Sequence, residues 1–171
     1  LRAALAAKHS VQPSNIVVGE GIDGLLNNVA SLLISPGDAF VTSKGTYPTF
    51  NYFVQGKGGV IHTVPYGSDD RQDLPALLAK ANEVDAKILY LVNPDNPSGT
   101  WHAAPRVEML IEMLPPACML VIDEAYALHG SSFGLQTQGD GVELDGEALP
   151  NDAIVSWTHD EVVFWAPAVD E

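Results

Sequence analysis

The sequence predicts an α/β domain of three layers, a mostly parallel sheet with helices on both faces, and three observations carry that expectation. Strand-like and helix-like stretches alternate from the start of the chain to about residue 126. Two runs, Ile88-Leu89-Tyr90-Leu91-Val92 and Met119-Leu120-Val121-Ile122, are apolar at consecutive positions, as strands buried on both faces are. A helix-like stretch lies between them, and strand, crossover helix, strand is the unit from which parallel sheets are built.

Taken in order, residues 1–10 read as an amphipathic helix with no start-like character, so the true N-terminus is expected upstream of Leu1. Residues 11–14, with Pro13, form a turn, and 15–18 a short strand. The glycine-rich segment 19–24 then leads into a helix whose apolar positions Leu25, Leu26, Val29, Leu32 and Leu33 recur at helical spacing, stopped by Ser35-Pro36-Gly37. Residues 39–42 are a second strand, and 47–55 a short helix with Pro48 in its first turn. Strands are expected at 60–64, 88–92 and 119–122, with helices at 74–81 and 107–114. After residue 126 the text becomes rich in Gly, Ser and Gln, with one further strand expected at 153–157. The division is therefore 1–126, the regularly patterned domain, and 127–171, a divergent acidic tail.

A chain of 171 residues, 46% hydrophobic and 18% charged, is long enough for one domain with a real core. No signal peptide and no membrane-length apolar run is found. The net charge of −14 argues against nucleic acid and anionic membrane, whose phosphates need clustered Lys and Arg. All 8 Lys and Arg lie at or before Arg106, and none of the later residues offsets the acids there. A single cysteine, Cys118, excludes a disulfide framework and points to a reducing, cytoplasmic compartment, with the thiol acting as a small core hydrophobe. His129 and His159 have no Cys or His at ligand spacing, so no metal is expected.

The polar clusters Asn93 to Thr100 and Asp123 to Tyr126 fall at the carboxyl ends of neighbouring strands, where open α/β sheets bind ligands. The segment 19–24 matches G-x-G-x-x-G, the dinucleotide fingerprint, yet the next strand ends in Thr42-Ser43-Lys44, without the acid that takes a ribose hydroxyl. What remains is an anion cradle: glycines allow close approach, and the N–H groups of the following helix point at a phosphate. An Asp acceptor (Asp123), an amide (Asn96), a phenol (Tyr126), a stacking ring (Tyr47) and that cradle suit a flat cationic heteroaromatic ring with a phosphate arm.

Residues 1–126 resemble the large domain of the fold-type I pyridoxal-phosphate enzymes, in the class I/II aminotransferase group that includes the histidinol-phosphate aminotransferases. The resemblance rests on four motifs in the family's order. Gly19-Glu20-Gly21-Ile22-Asp23 is similar to G-N-G-S-D, and Thr46-Tyr47-Pro48 to T-Y-P. Asn93-Pro94-Asp95-Asn96-Pro97-Ser98-Gly99 is similar to N-P-N-N-P-T-G, and Asp123-Glu124-Ala125-Tyr126 to D-E-A-Y. It implies that pyridoxal 5'-phosphate is the cofactor. Asp123 would pair with the protonated pyridine nitrogen, Asn96 and Tyr126 would bond the phenolic oxygen, and Tyr47 would stack on the ring. The backbone of Gly21, Ile22 and Asp23 would take the phosphate, with Ile22 in place of a hydroxyl residue. Ser98 and Glu124 are expected to be structural. The implied partners are an amino donor and a 2-oxo acid, and the implied assembly is a homodimer.

The resemblance also implies a Schiff-base lysine in a T-x-S-K segment about thirty residues after D-E-A-Y. No lysine follows Lys87; Thr158-His159-Asp160-Glu161 occupies that region, and Glu161 stands near the lysine's place. Lys44 and His159 are poor substitutes, a loop lysine and an exposed tail histidine. The leading reading is therefore a fragment or degenerate form of an aminotransferase, inactive by itself. The alternatives are a module binding the cofactor or a phosphorylated amine without catalysis, and an unrelated nucleotide-binding α/β protein.

Overall fold

A computed structural model describes residues 1–125 and, for the backbone alone, 143–144 and 147–148. Helix α1 spans Arg2–His9, and a 3-10 turn follows at Pro13–Asn15. Helix α2 is Gly21–Leu33, strand β1 Ala39–Ser43, helix α3 Thr49–Gly56 and strand β2 Val60–Val64. Helix α4 is Leu74–Glu83, strand β3 Ile88–Val92, helix α5 Ala104–Met113 and strand β4 Met119–Asp123. Two short strands, β5 (Glu143–Leu144) and β6 (Glu147–Ala148), pair with each other in antiparallel fashion. The expected strand at 153–157, together with Tyr126, His129, His159 and Glu161, lies outside the described residues. Among the described residues no helix is long and apolar enough to cross a membrane.

The main sheet has the order β2-β1-β3-β4, with every pairing parallel. Side chains alternate across it. Phe40, Ile88, Tyr90, Val92 and Val121 point to one face, where α2 and α3 bring Leu26, Val29, Ala30, Phe50 and Val54. Val41, Leu89, Leu91 and Leu120 point to the other, against Leu77 and Ala81 of α4 and Val107 and Leu110 of α5. The chain leaves β1 for β2 through a helix on the first face, then returns across β1 to β3 and on to β4 through helices on the second. Right-handed crossovers require that exchange of faces when the direction of travel reverses. The three-layer α/β reading is thus what the structure shows.

The structure changes several local expectations. Residues 15–18 do not form a strand: Pro13–Asn15 closes a 3-10 turn and the chain then runs extended without a ladder. The β-branched run Ile16-Val17-Val18 has strand propensity but no neighbouring strand, and Val17 is 63% exposed. The dinucleotide fingerprint therefore lacks the strand that must precede it. Helix α2 begins at Gly21, so Gly24 lies inside its first turn. Leu32, expected on the apolar stripe, is 82% exposed. Helix α3 starts at Thr49, with Pro48 as its N-cap, which leaves Tyr47 in the loop before it. Helix α4 is capped by Asp73, whose carboxylate accepts the Ala76 N–H at 3.0 Å. Cys118 is buried just before β4, and burial pushes its thiol up to about 11.

The first-face core is organised by three rings. Phe40 and Phe50 meet edge to face at 5.1 Å, Phe50 and Tyr90 at 5.0 Å, and Phe40 and Tyr90 lie 6.0 Å apart. Because Phe50 is fully buried against both others, Phe50→Ala should cost about 3–5 kcal/mol in urea unfolding. A loss below about 1 kcal/mol would show that this face is not the packed core described.

Candidate functional site

Four segments meet at the carboxyl edge of the sheet: the end of β4, the loop after β3, the loop after β1 and the first turn of α2. Strands β3 and β4 are in register with Val92 opposite Asp123, and the Asn93 N–H donates to the Asp123 carbonyl at 2.9 Å. The two polar clusters are therefore adjacent in space.

Asp123 ends β4 on the face of the three rings and is 1% exposed. Its Oδ2 accepts the Tyr90 hydroxyl at 2.6 Å and its Oδ1 accepts the Ala125 N–H at 3.1 Å. Tyr90 lies opposite Val121, two residues before Asp123, so the contact is a diagonal one across the parallel pair. Burial holds the Asp123 carboxyl above the usual carboxylate range; the Tyr90 and Ala125 bonds oppose that rise, and the nearby charge of Asp23 adds to it. Burial and the Asp123 charge together push the Tyr90 hydroxyl far up, so it stays a donor. Sequence reading passed over Tyr90 as one core residue of a strand; the signal was a lone phenol in an aliphatic run, with the same facing as Asp123.

At the opposite wall the Tyr47 hydroxyl donates to Asp23, at 3.2 Å to Oδ1 and 3.4 Å to Oδ2. Tyr47 is half-buried and Asp23 exposed, so the site opens on this side. The first turn of α2 has no side-chain cap, and Gly21 takes φ +76° with open space where a Cβ would stand. Uncapped N–H groups and the positive end of the helix are the features by which a helix N-terminus can receive an anion. Ile22 is half-buried and packs against the first-face core, so it contributes backbone here and no polar side chain.

Asn96, half-buried, sits in the loop after β3. That loop is closed at its neck by Asn93, whose amide donates to the His102 carbonyl at 3.1 Å and accepts the His102 N–H at 2.7 Å. The Asn93–Pro94 and Asn96–Pro97 bonds are cis, and Gly99 takes φ +73° to turn the chain back. Ser98 donates to Asp95 at 2.7 Å within this loop. Lys44 is exposed, and its backbone N–H donates to Val64. Among the described residues no group of three or more His, Cys, Asp or Glu is arranged to hold a metal ion. The structure thus gathers Asp123, Asp23, Tyr47 and the Gly21 turn at one edge, and it places the Asn96 loop beside Asp123.

A buried carboxyl with a raised pKa has a definite effect on stability. In the unfolded chain an Asp loses its proton near pH 3.9, before the folded one does, so ligand-free Asp123 destabilises the fold as pH rises from about 4 through its raised folded value. In Asp123→Asn the amide oxygen can accept the Ala125 N–H and the amide N–H₂ can donate to the Tyr90 oxygen. The variant's urea midpoint should therefore fall less than wild type's between pH 4 and 8, and match or exceed it at neutral pH. Parallel midpoint curves for the two proteins would contradict the burial of an ionisable Asp123.

The family model for aminotransferase class I and II matches residues 1–147. Histidinol-phosphate aminotransferase 2 of Carboxydothermus hydrogenoformans is 34% identical over 126 residues, covering 74% of this chain and 34% of the relative. Histidinol-phosphate aminotransferase of Maricaulis maris is 33% identical over 162 residues, covering 95% of this chain and 43% of the relative. Among solved structures, the histidinol-phosphate aminotransferase of Sinorhizobium meliloti, in complex with pyridoxal-5'-phosphate, superposes with a TM-score of 0.70 at 49% identity. That match covers 72% of this chain and 33% of the other. The chain spans well under half the length of these relatives. With the family model covering most of its length, the chain belongs to the aminotransferase class I and II family.

Proposed function

We propose that residues 1–125 form one wall of a pyridoxal 5'-phosphate site in an enzyme that moves an amino group between an amine and a 2-oxo acid. The observation that carries this reading is Asp123, a buried carboxyl at a strand end that accepts the Tyr90 hydroxyl and feels the charge of Asp23 in the uncapped first turn of α2. A carboxylate so placed gains most from a partner that brings a buried positive N–H, as a protonated pyridine does. Asp123 pairs with the ring nitrogen, Tyr47 stacks on the ring, and Asn96 with Tyr126 bonds its phenolic oxygen. The N–H groups of the Gly21, Ile22 and Asp23 turn hold the phosphate. The Asp23 carboxylate itself repels a phosphate, so its own share is the backbone, with the Tyr47 hydroxyl engaging its side chain. When bound, the cofactor supplies an electron sink for the substrate carbanion.

The names of the relatives favour a phosphorylated amine such as histidinol phosphate, or an amino acid, as amino donor. A cytoplasmic homodimer belongs to the same reading. No lysine follows Lys87 and Lys44 is exposed, so the 171-residue chain holds the cofactor without a covalent bond and does not turn over by itself.

Titration with pyridoxal 5'-phosphate and with pyridoxamine 5'-phosphate should show saturable binding of both. Asp123→Ala should weaken binding about tenfold or more, the worth of one charge-assisted hydrogen bond. Borohydride should leave no cofactor attached to the protein. Cofactor fixed to a lysine would overturn the non-covalent reading, and absence of saturable binding would overturn the site.

A further inference from the structure

We propose that Asp95 is a positioning residue that holds Tyr47 and Asn96 in a common frame, an inference that rests on the cofactor roles given to those two residues above. Asp95 is 4% exposed, and its carboxylate is the meeting point of three loops. From the loop after β1, Thr46 donates its hydroxyl to Oδ1 at 2.5 Å. From the segment between β2 and α4, Gln72 donates Nε2 to Oδ1 at 3.2 Å and Tyr66 its hydroxyl to Oδ2 at 2.9 Å. From its own loop, Ser98 donates its N–H at 3.2 Å and its hydroxyl at 2.7 Å to Oδ2. The Asp95 backbone closes the same loop, its N–H donating to Thr100 and its carbonyl accepting from Gly99.

Thr46 is the residue before Tyr47, and Asp95 the residue before Asn96. One carboxylate therefore fixes the approach of the ring that stacks on the cofactor and of the amide that bonds its edge. The chemistry also demands a carboxylate. Hydroxyls can rotate to accept, but two of the donors cannot reverse. The Ser98 N–H is backbone, and Gln72 Nε2 also donates to the Val92 carbonyl, which fixes its orientation. These two donors address different oxygens, so an amide at position 95 turns its N–H₂ against one or the other in either orientation. The family motif to which this loop is similar, N-P-N-N-P-T-G, has an amide residue at the corresponding place, whereas the surroundings of Asp95 in this chain are all donors.

Asp95→Asn and, as a milder change that removes one donor and keeps the carboxylate, Tyr66→Phe test this assignment. In the ligand-free protein, amide hydrogen exchange should speed up in both loops, 44–48 and 93–100, while β1 and β3 keep their protection, with the smaller effect in Tyr66→Phe. Pyridoxamine 5'-phosphate should bind Asp95→Asn about tenfold more weakly than wild type, and the same substitution should cost less than about twofold when Tyr47 and Asn96 are already alanine. Additive losses, or faster exchange in the 93–100 loop alone, would overturn the positioning role. Failure of wild type to bind the probe overturns the cofactor reading and with it the positioning role, whereas exchange that couples the two loops would still assign Asp95 as their shared anchor.

Discussion

A carboxyl buried at the end of a parallel strand is expensive to ionise, and the hydrogen bond from Tyr90 to Asp123 is the contact on which this site depends. Tyr90 can make it because its ring is fixed edge to face against Phe50 and close to Phe40, so little rotamer freedom remains to be lost. Register does the rest. With Val92 opposite Asp123, the phenol two residues earlier on the same face reaches the carboxylate diagonally. Core packing and site chemistry are here one structure, since the ring that fills the space between sheet and helices also supplies the donor that opposes desolvation of the acid.

The order β2-β1-β3-β4 decides what that acid meets. Reversal of direction after β2 brings the loops following β1 and β3 side by side, the crevice that open α/β sheets offer to ligands. Helix α2 packs on the same face as α3, and the Tyr47 bond to Asp23 ties its first turn to the loop after β1. Acid, aromatic ring and helix N-terminus thus come from β4, the loop after β1 and α2, with Asp95 joining the loops that carry Tyr47 and Asn96.

The strands at 60–64 and 88–92 were legible in the sequence to the residue, because the first is rich in β-branched Val, Ile and Thr and the second is apolar throughout and buried on both faces. The strand read at 15–18 failed for the converse reason: Ile16, Val17 and Val18 have the right side chains, but strand formation needs a partner that local sequence cannot reveal. Asp123 and Asn96 could be found because one ends a strand and the other lies in the loop that follows the neighbouring strand. Asp95 could not be understood that way, since Thr46, Tyr66 and Gln72 lie 49, 29 and 23 residues away and only the fold brings them to it. Tyr90 was hidden by its own burial, and became visible as a donor once the register of β3 against β4 was known.

In the proposed site Asp123 holds a protonated ring nitrogen. The most direct test is the ¹⁵N chemical shift of ring-labelled pyridoxamine 5'-phosphate bound to the protein, at a pH where the free ligand's ring nitrogen is unprotonated. A protonated nitrogen is expected in the wild-type complex and an unprotonated one with Asp123→Asn. An unprotonated nitrogen in the wild-type complex, or the same shift in both proteins, would contradict it.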